Sequence, residues 1–283
     1  MTALLTALAL VAFAANSILT RMALGAGAMD AATFTTVRIV AGAVVLATIV
    51  RLQGGPSPLR SGRSLVGPVA LFAYAAPFSF AYVRIGAAAG ALLLFGAVQI
   101  TMIGWGIAKG ERPGVRSWAG IALALAGLAW LTLPALGRPD PVGSGLMIVA
   151  GCAWGVYSLA GKGKGKGMPN AVAANARSFF WAVPLVLLVN LVVASSVVVS
   201  PRGLILAATS GGITSGLGYA IWYRALRGLT ATRAAILQLA VPVIAAAGAV
   251  AFLHESVNPR LAVSAAAVIG GLGLVLSARS PSP

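Results

Sequence analysis

The sequence predicts an all-α integral membrane protein of ten transmembrane helices, arranged as two inverted five-helix repeats with N- and C-termini cytoplasmic. Three observations predict it. The 283-residue chain is 59% hydrophobic and 8% charged with a mean hydropathy of +0.97, more apolar surface than one water-surrounded core can hide. Ten apolar stretches of roughly 18 to 23 residues follow one another, each long enough to cross a hydrocarbon layer of ~30 Å as a helix. Residues 90–134 recur without a gap as residues 234–278, 144 positions on. Nine of those 45 positions are identical, and in so Ala/Leu/Gly-rich a chain the rare charges decide the match. Glu111 falls on Glu255 and Arg116 on Arg260, with Gly104 on Gly248 and Gly127-Leu128 on Gly271-Leu272.

The spans are placed at about 3–22, 31–50, 65–84, 87–108, 117–136, 143–161, 171–194, 203–223, 231–253 and 260–278. The first carries Ala12-Phe13-Ala14, which looks like a signal-peptidase site. It lacks a basic leader and runs apolar to Leu24, so it reads as an uncleaved span. The second starts after Asp30, stops at Arg51 and contains Arg38. The third and seventh are interrupted by Pro77 and Pro184, and the ninth by Pro242. The fourth ends in Lys109-Gly110-Glu111, and the fifth has Trp118 and Trp130 at its two ends, as an interfacial belt does. The sixth holds Cys152, the chain's single cysteine, so no intrachain disulfide forms. Gly211, Gly212, Gly216 and Gly218 in the eighth, and Gly270, Gly271 and Gly273 in the tenth, read as close helix packing.

The net charge of +16 is a topology signal. With the N-terminus inside, twelve Lys and Arg lie in inner turns and tail against five in outer turns. Residues 1–137 form the first repeat and 143–283 the second, joined by a turn with Arg138, Pro139, Asp140 and Pro141. Five spans each is an odd number, so the halves are inverted, the construction of secondary transporters. Gly161 to Gly167 alternates Gly and Lys and reads as a flexible basic inner loop.

The chain resembles the EamA type of the drug/metabolite transporter superfamily over essentially its whole length. The likeness rests on Ala14-Ala15-Asn16-Ser17, Gly110-Glu111-Arg112-Pro113 and Cys152-Ala153-Trp154-Gly155-Val156-Tyr157. It rests further on Gly218-Tyr219-Ala220-Ile221-Trp222-Tyr223-Arg224-Ala225-Leu226 and on His254-Glu255. One departure is Phe13, where the family more often has Trp. Within the family the chain looks most like YddG-type bacterial exporters of aromatic amino acids. The resemblance implies a bacterial inner-membrane carrier of a small molecule, though relatives also carry nucleotide precursors, sugars and phosphorylated metabolites.

The acids Asp30, Glu111, Asp140 and Glu255 all lie in turns or at span ends, with the only histidine, His254, beside one of them. Ion-coupled carriers place such a group mid-membrane, so gradient-driven movement without ion coupling is expected. Arg38 and Arg177 occupy comparable places in the two halves and either snorkel or contact a substrate anion. The amides Asn16, Gln99, Asn175 and Gln238 either bond between helices or line a wet cavity. Pro242 frees the carbonyl of residue 238, which favours the cavity for Gln238.

Tyr74, Phe78 and Tyr82 share one face of the third span, and Tyr219 and Trp222 one of the eighth. Trp154 and Tyr157 lie three apart on the sixth, and Trp105 is beyond Gln99. A cavity of rings and amides suits an amphipathic zwitterion. Pro77, Pro184 and Pro242 are either hinges or static kinks.

No catalytic residue, metal cluster, cofactor motif or nucleic-acid partner is recognisable; membrane lipid and a small-molecule substrate are the expected partners, and the sequence leaves the oligomeric state open, a monomer being compatible with it. An anion carrier using the arginines is the alternative. A membrane-embedded lipid-modifying enzyme is a remote one, since only Glu111 and His254-Glu255 approach a membrane face, on opposite sides.

Overall fold

The computed structural model describes residues 1–55, 64–85, 87–133, 140–162, 168–193, 197–253 and 259–278. His254, Glu255, Arg138, Pro139 and the 163–167 part of the basic loop lie outside these. The elements are helical: α1 (Thr2–Thr20), α2 (Ala31–Leu52), α3 (Val66–Tyr82), α4 (Ala87–Ala108), α5 (Val115–Thr132), α6 (Pro141–Gly161) and α7 (Met168–Val193). Then come α8 (Pro201–Thr209), α9 (Gly218–Ala225), α10 (Ala231–Leu237), α11 (Ala240–Leu253) and α12 (Pro259–Ser277). Among the described residues nine helices are long and apolar enough to cross a membrane. The third expected span, α3, has 17 residues and falls just short of that length.

Two spans are not regular helices. α1 continues through a π-helical turn, Arg21–Gly25, and α8 passes into α9 through a longer π-helical stretch, Ser210–Leu217. Such widenings shift the side-chain register and concentrate at working sites. The ninth expected span breaks into α10 and α11 at Gln238-Leu239, where the main chain tightens: Gln238 N–H bonds Ala235 O (3.1 Å) and Leu239 N–H bonds Ile236 O (2.9 Å). The carbonyl of Gln238 was expected to be left free by Pro242. It accepts the N–H of Val241 at 3.0 Å, so it is not open to a ligand. Pro77 and Pro184 sit inside unbroken α3 and α7, so the one backbone break at a proposed hinge is the one beside Pro242.

Helix starts are set by the acids and hydroxyls that precede them. Asp30 Oδ1 accepts Thr33 N–H (2.8 Å), Asp140 Oδ2 accepts Gly143 N–H (2.9 Å) and Ser200 Oγ accepts Gly203 N–H (3.0 Å). Asp30 also ties two turns together, because its Oδ2 accepts Val198 N–H (3.0 Å). Asp140 pairs with Arg84 at 3.3 Å.

The packing follows a rule. α2 packs on α7, α5 on α12 and α4 on α10, while α3 against α6 is matched by α1 against α9 and the π stretch. Small residues allow these crossings. A methyl on Gly120 would lie 2.5 Å from Gly271 O, and one on Gly271 2.5 Å from Gly120 O, so α5 and α12 touch through their main chains. Ile100, Leu191, Ile205, Val263 and Ile269 are exposed, the outward apolar coat of a protein solvated by lipid.

Glu111, in the turn after α4, reaches the second half. Its Oε1 accepts Ala231 N–H (2.6 Å), its Oε2 accepts Thr232 N–H (2.9 Å), and Lys162 Nζ is 4.0 Å away. It therefore caps the start of α10. Burial pushes its carboxyl upward, but the two N–H groups, the Thr232 side chain and Lys162 outweigh that, and the acid is held below its ordinary value. A lowered folded value gives stability that is complete above the ordinary glutamate range and lost as pH falls through the lowered one. Thermal unfolding in detergent should show a decline at acid pH that Glu111→Ala reduces. The same variant should lower stability at neutral pH by roughly 1 kcal/mol. An unchanged acid limb would remove Glu111 from that role.

Candidate functional site

A cavity of about 30 Å³ lies where helices of both halves converge, lined by Phe13, Asn16, Ser17, Tyr74, Phe78, Leu94, Phe95, Trp154, Tyr219 and Val241. That is room for a water molecule or so; an amino acid enters only if the walls part. Five of these residues were expected from the sequence: Asn16, Tyr74, Phe78, Trp154 and Tyr219.

The rings form one cluster. Trp154 stands 4.7 Å from Tyr219, 4.9 Å from Tyr74 and 5.1 Å from Phe13, centroid to centroid, mostly edge-on or tilted. Phe13 also meets Trp222 at 5.6 Å. Three residues before Asn16, it shares that residue's face of α1. The sequence reading noted it only as a departure from the family, although helical spacing could have placed it in the site. Tyr82 continues the file from Phe78 at 4.9 Å and is half-buried beyond the cavity.

Arg38 is 1% exposed, so it does not snorkel. Its Nε donates to Ser215 Oγ (3.0 Å), and one terminal nitrogen donates to the hydroxyls of Tyr219 (2.6 Å) and Tyr74 (3.4 Å). The guanidinium lies 5.4 Å from the Tyr74 ring centroid and 5.8 Å from that of Phe78. Its other terminal nitrogen is buried with no hydrogen-bond partner. Arg177 is also buried, at 7% exposed, with its Nε unpartnered, but it neither lines the cavity nor joins the Arg38 group.

Asn16 completes that group. Its Oδ1 accepts from Ser210 (2.7 Å) and Ser215 (3.4 Å), with the Thr214 hydroxyl 3.3 Å away, all in the π stretch between α8 and α9. These three hydroxyls were missed, because they stand among glycines that read as packing alone. The glycines explain how they arrive there. Gly211 lies so close to Arg38 that an added methyl would collide with the Arg38 carbonyl, which brings the π stretch onto α2.

The other amides bond between helices. Gln99 Nε2 donates to Ala235 O (2.8 Å), while its Oε1 is buried and unpartnered. Gln238 Oε1 accepts the indole N–H of Trp154 (2.5 Å), and its Nε2 donates to Ala234 O (3.1 Å) and faces Met102 Sδ (3.3 Å). Asn175 Oδ1 accepts the hydroxyl of Tyr157, and its Nδ2 donates to Gly216 O (2.7 Å). Trp222 donates to Ser158 Oγ (3.1 Å) and Tyr223 to Tyr157 O (3.2 Å). These pairs fill the space beneath Trp154, toward the Gly161 end of α6. Tyr157, Asn175, Trp222, Gln99 and Gln238 thus surround the cavity without lining it. Trp105 departs further: it is 50% exposed on the outside of α4 with Lys109 over its ring at 5.0 Å, an aromatic-belt position like those of Trp118 and Trp130.

Comparison with known proteins places this architecture. Residues 141–277 match the EamA-like transporter family. The chain is 45% identical over 279 residues to uncharacterized protein PA1977 of Pseudomonas aeruginosa, covering 98% of this chain and 95% of that one. It is 29% identical over 216 residues to the uncharacterized transporter YwfM of Bacillus subtilis, covering 74% and 71%. A protein of known crystal structure shares the fold at a TM-score of 0.78 and 21% identity, over 97% of this chain and 96% of its own. Over its second half, residues 141–277, the chain is thus similar to a family of membrane transporters, not of enzymes.

Proposed function

We propose that the protein exports aromatic or other neutral amino acids, or closely related small metabolites, across a bacterial inner membrane without ion coupling. The observation that carries this reading is the cavity itself: rings on several sides, a buried amide, and no acid or histidine among its lining residues. Rings hold an apolar side chain by burial and edge-to-face contact. A site with no group that gains or loses a proton near neutral pH has no means of binding a coupling proton.

Alternating access between two inverted five-helix halves is the mechanism. The pairing of three helices with their counterparts five expected spans away (α2 with α7, α5 with α12, α4 with α10) supports the two-fold relation. The interhelical pairs below Trp154 act as the inner gate, and the break at Gln238-Leu239 lets α10 and α11 move separately. Loss of the Trp154–Gln238 and Tyr157–Asn175 bonds would open the cavity to the cytoplasm.

Uptake and counterflow of radiolabelled amino acids in proteoliposomes, with and without ion gradients, test the proposal. Phenylalanine, tyrosine, tryptophan or another neutral amino acid should exchange down its own gradient. Uphill movement driven by a pH gradient alone would sink the uncoupled mechanism, and failure of every amino acid would sink the substrate class. The second reading, a carrier of anionic metabolites through Arg38 and Arg177, is favoured only by Arg38, which bonds the lining residues Tyr74 and Tyr219 from behind, whereas Arg177 stays apart from the cavity.

A further inference from the structure

Behind the cavity lining lies a charge that no carboxylate among the described residues balances. Arg38 is buried to 1% exposure, and among the described residues no carboxylate reaches it. An arginine stays cationic in any protein setting, so the protein carries a desolvated positive charge beside its aromatic pocket. Such a charge at membrane depth is retained at considerable cost unless something balances it.

The hydrogen bonds around it share one polarity. Arg38 has donors only, so the phenol oxygens of Tyr74 and Tyr219 accept from it; Tyr219 is in turn a hydrogen-bonding neighbour of Ser215 and Tyr74, which leaves the Tyr74 proton to be given elsewhere. Both phenols line the cavity. Asn16 Oδ1 is taken by the Ser210 and Ser215 hydroxyls, the Thr214 proton going to Ser210 O (3.0 Å), so the end of this amide left for a ligand is its Nδ2, again a donor. The one remaining terminal nitrogen of Arg38, without a partner, is a donor as well. Ser17 Oγ gives its proton to Phe13 O (3.3 Å) and is left as an acceptor next to that amide.

We infer that Arg38, Tyr74, Tyr219 and Asn16 form a receptor for a single carboxylate of the transported molecule. The phenols are polarised by the cation behind them, and Ser215 holds the guanidinium in register with Asn16 by accepting from one and donating to the other. This inference rests on the transport reading above and narrows it. The substrate carries a carboxylate, its apolar part packs among Phe13, Phe78 and Trp154, and an ammonium, where present, meets Ser17 and the ring faces. Neutral esters and amines of the same shape are poor ligands.

Ligand-induced quenching of tryptophan fluorescence in the detergent-purified protein tests it, since Trp154 adjoins the receptor. The probes are phenylalanine, its methyl ester, phenethylamine and 3-phenylpropionate. Phenylalanine and 3-phenylpropionate should bind about tenfold or more tighter than the ester and the amine. Arg38→Gln should erase that preference. Should Arg38→Gln fail to fold, the double variant Tyr74→Phe, Tyr219→Phe, which removes only two hydroxyls, should reduce the preference severalfold. Equal binding of phenylalanine and its ester, or a preference that survives in every folded variant, would overturn the receptor while leaving the amino-acid reading intact. Binding of 3-phenylpropionate but of no amino acid in the transport panel would uphold the receptor and overturn the amino-acid reading. No binding by any probe would overturn both.

Discussion

Gly211→Ala is expected to lower stability by about 3 kcal/mol or more, among the largest effects of any single methyl in this protein. Its added carbon would collide with the main-chain carbonyl of Arg38, and main chain cannot swing aside as a side-chain tip can. α2 and the π stretch would have to part, which would also pull Ser215 from Arg38 and Ser210 from Asn16. Thermal unfolding in detergent and the yield of folded protein measure the effect. Gly96→Ala and Gly104→Ala serve as controls, because an added methyl there has no neighbour within 4 Å. Those two should change stability by no more than about 0.5 kcal/mol. Equal melting of Gly211→Ala and its parent would mean that the crossing is looser than described.

Trp154→Ala should abolish transport and cost about 3–5 kcal/mol, because the ring touches Phe13, Tyr74, Tyr157 and Tyr219 at the centre of the cluster. Trp154→Phe separates the ring from its N–H. It keeps an aromatic body but leaves Gln238 Oε1 buried without a donor, a loss of about 1–3 kcal/mol. Adding Gln238→Leu should recover much of that loss, since both polar partners are then gone. A double-mutant cycle should therefore show coupling of about 1 kcal/mol or more. Strict additivity would show that the indole and the amide act independently and would weaken the inner-gate role given to this pair.

The helical spans were largely legible in the sequence. α2, α4, α6, α7 and α12 begin and end within about three residues of the stretches read from hydropathy. The sequence places Asp30 and Asp140 only in turns or at span ends, and the structure makes them, with Ser200, the caps of α2, α6 and α8. The site was half legible. Tyr74 and Phe78 share a face by their spacing, and the structure turns that face inward. Trp105 follows Gln99 in the same helix but faces outward, because spacing tells which residues share a face and not which face meets protein.

The amides show the limit most clearly. Asn16, Gln99, Asn175 and Gln238 are all polar groups in apolar helices, and the one local signal that set any apart, Pro242 beside Gln238, favoured a residue that does not line the cavity. Asn16 lines the cavity, while the other three donate to Gly216, Ala234 and Ala235 carbonyls across or along helices. Gly216 and Ala235 lie on helices chosen by packing, and Ala234 is one turn back in the span of Gln238 itself. The same holds for the arginines: Arg38 and Arg177 have comparable places in the two halves, but only Arg38 meets a hydroxyl-bearing π stretch. The corresponding crossing decides the chemistry.

Composition alone is enough to assign lipid as the solvent and to locate the spans, because hydropathy sums over some twenty residues and tolerates local irregularity. The rarity of charge likewise marks the helix ends. The working site depends on something that no such sum records. A π-helical stretch changes the direction of Ser210, Thr214 and Ser215, and glycines let it lie against α2 until those hydroxyls meet Asn16 and Arg38. These contacts join residues about 180 to 200 positions apart. They exist only when the helices are packed, since burial is what strengthens the hydrogen bonds that Arg38 and Asn16 make.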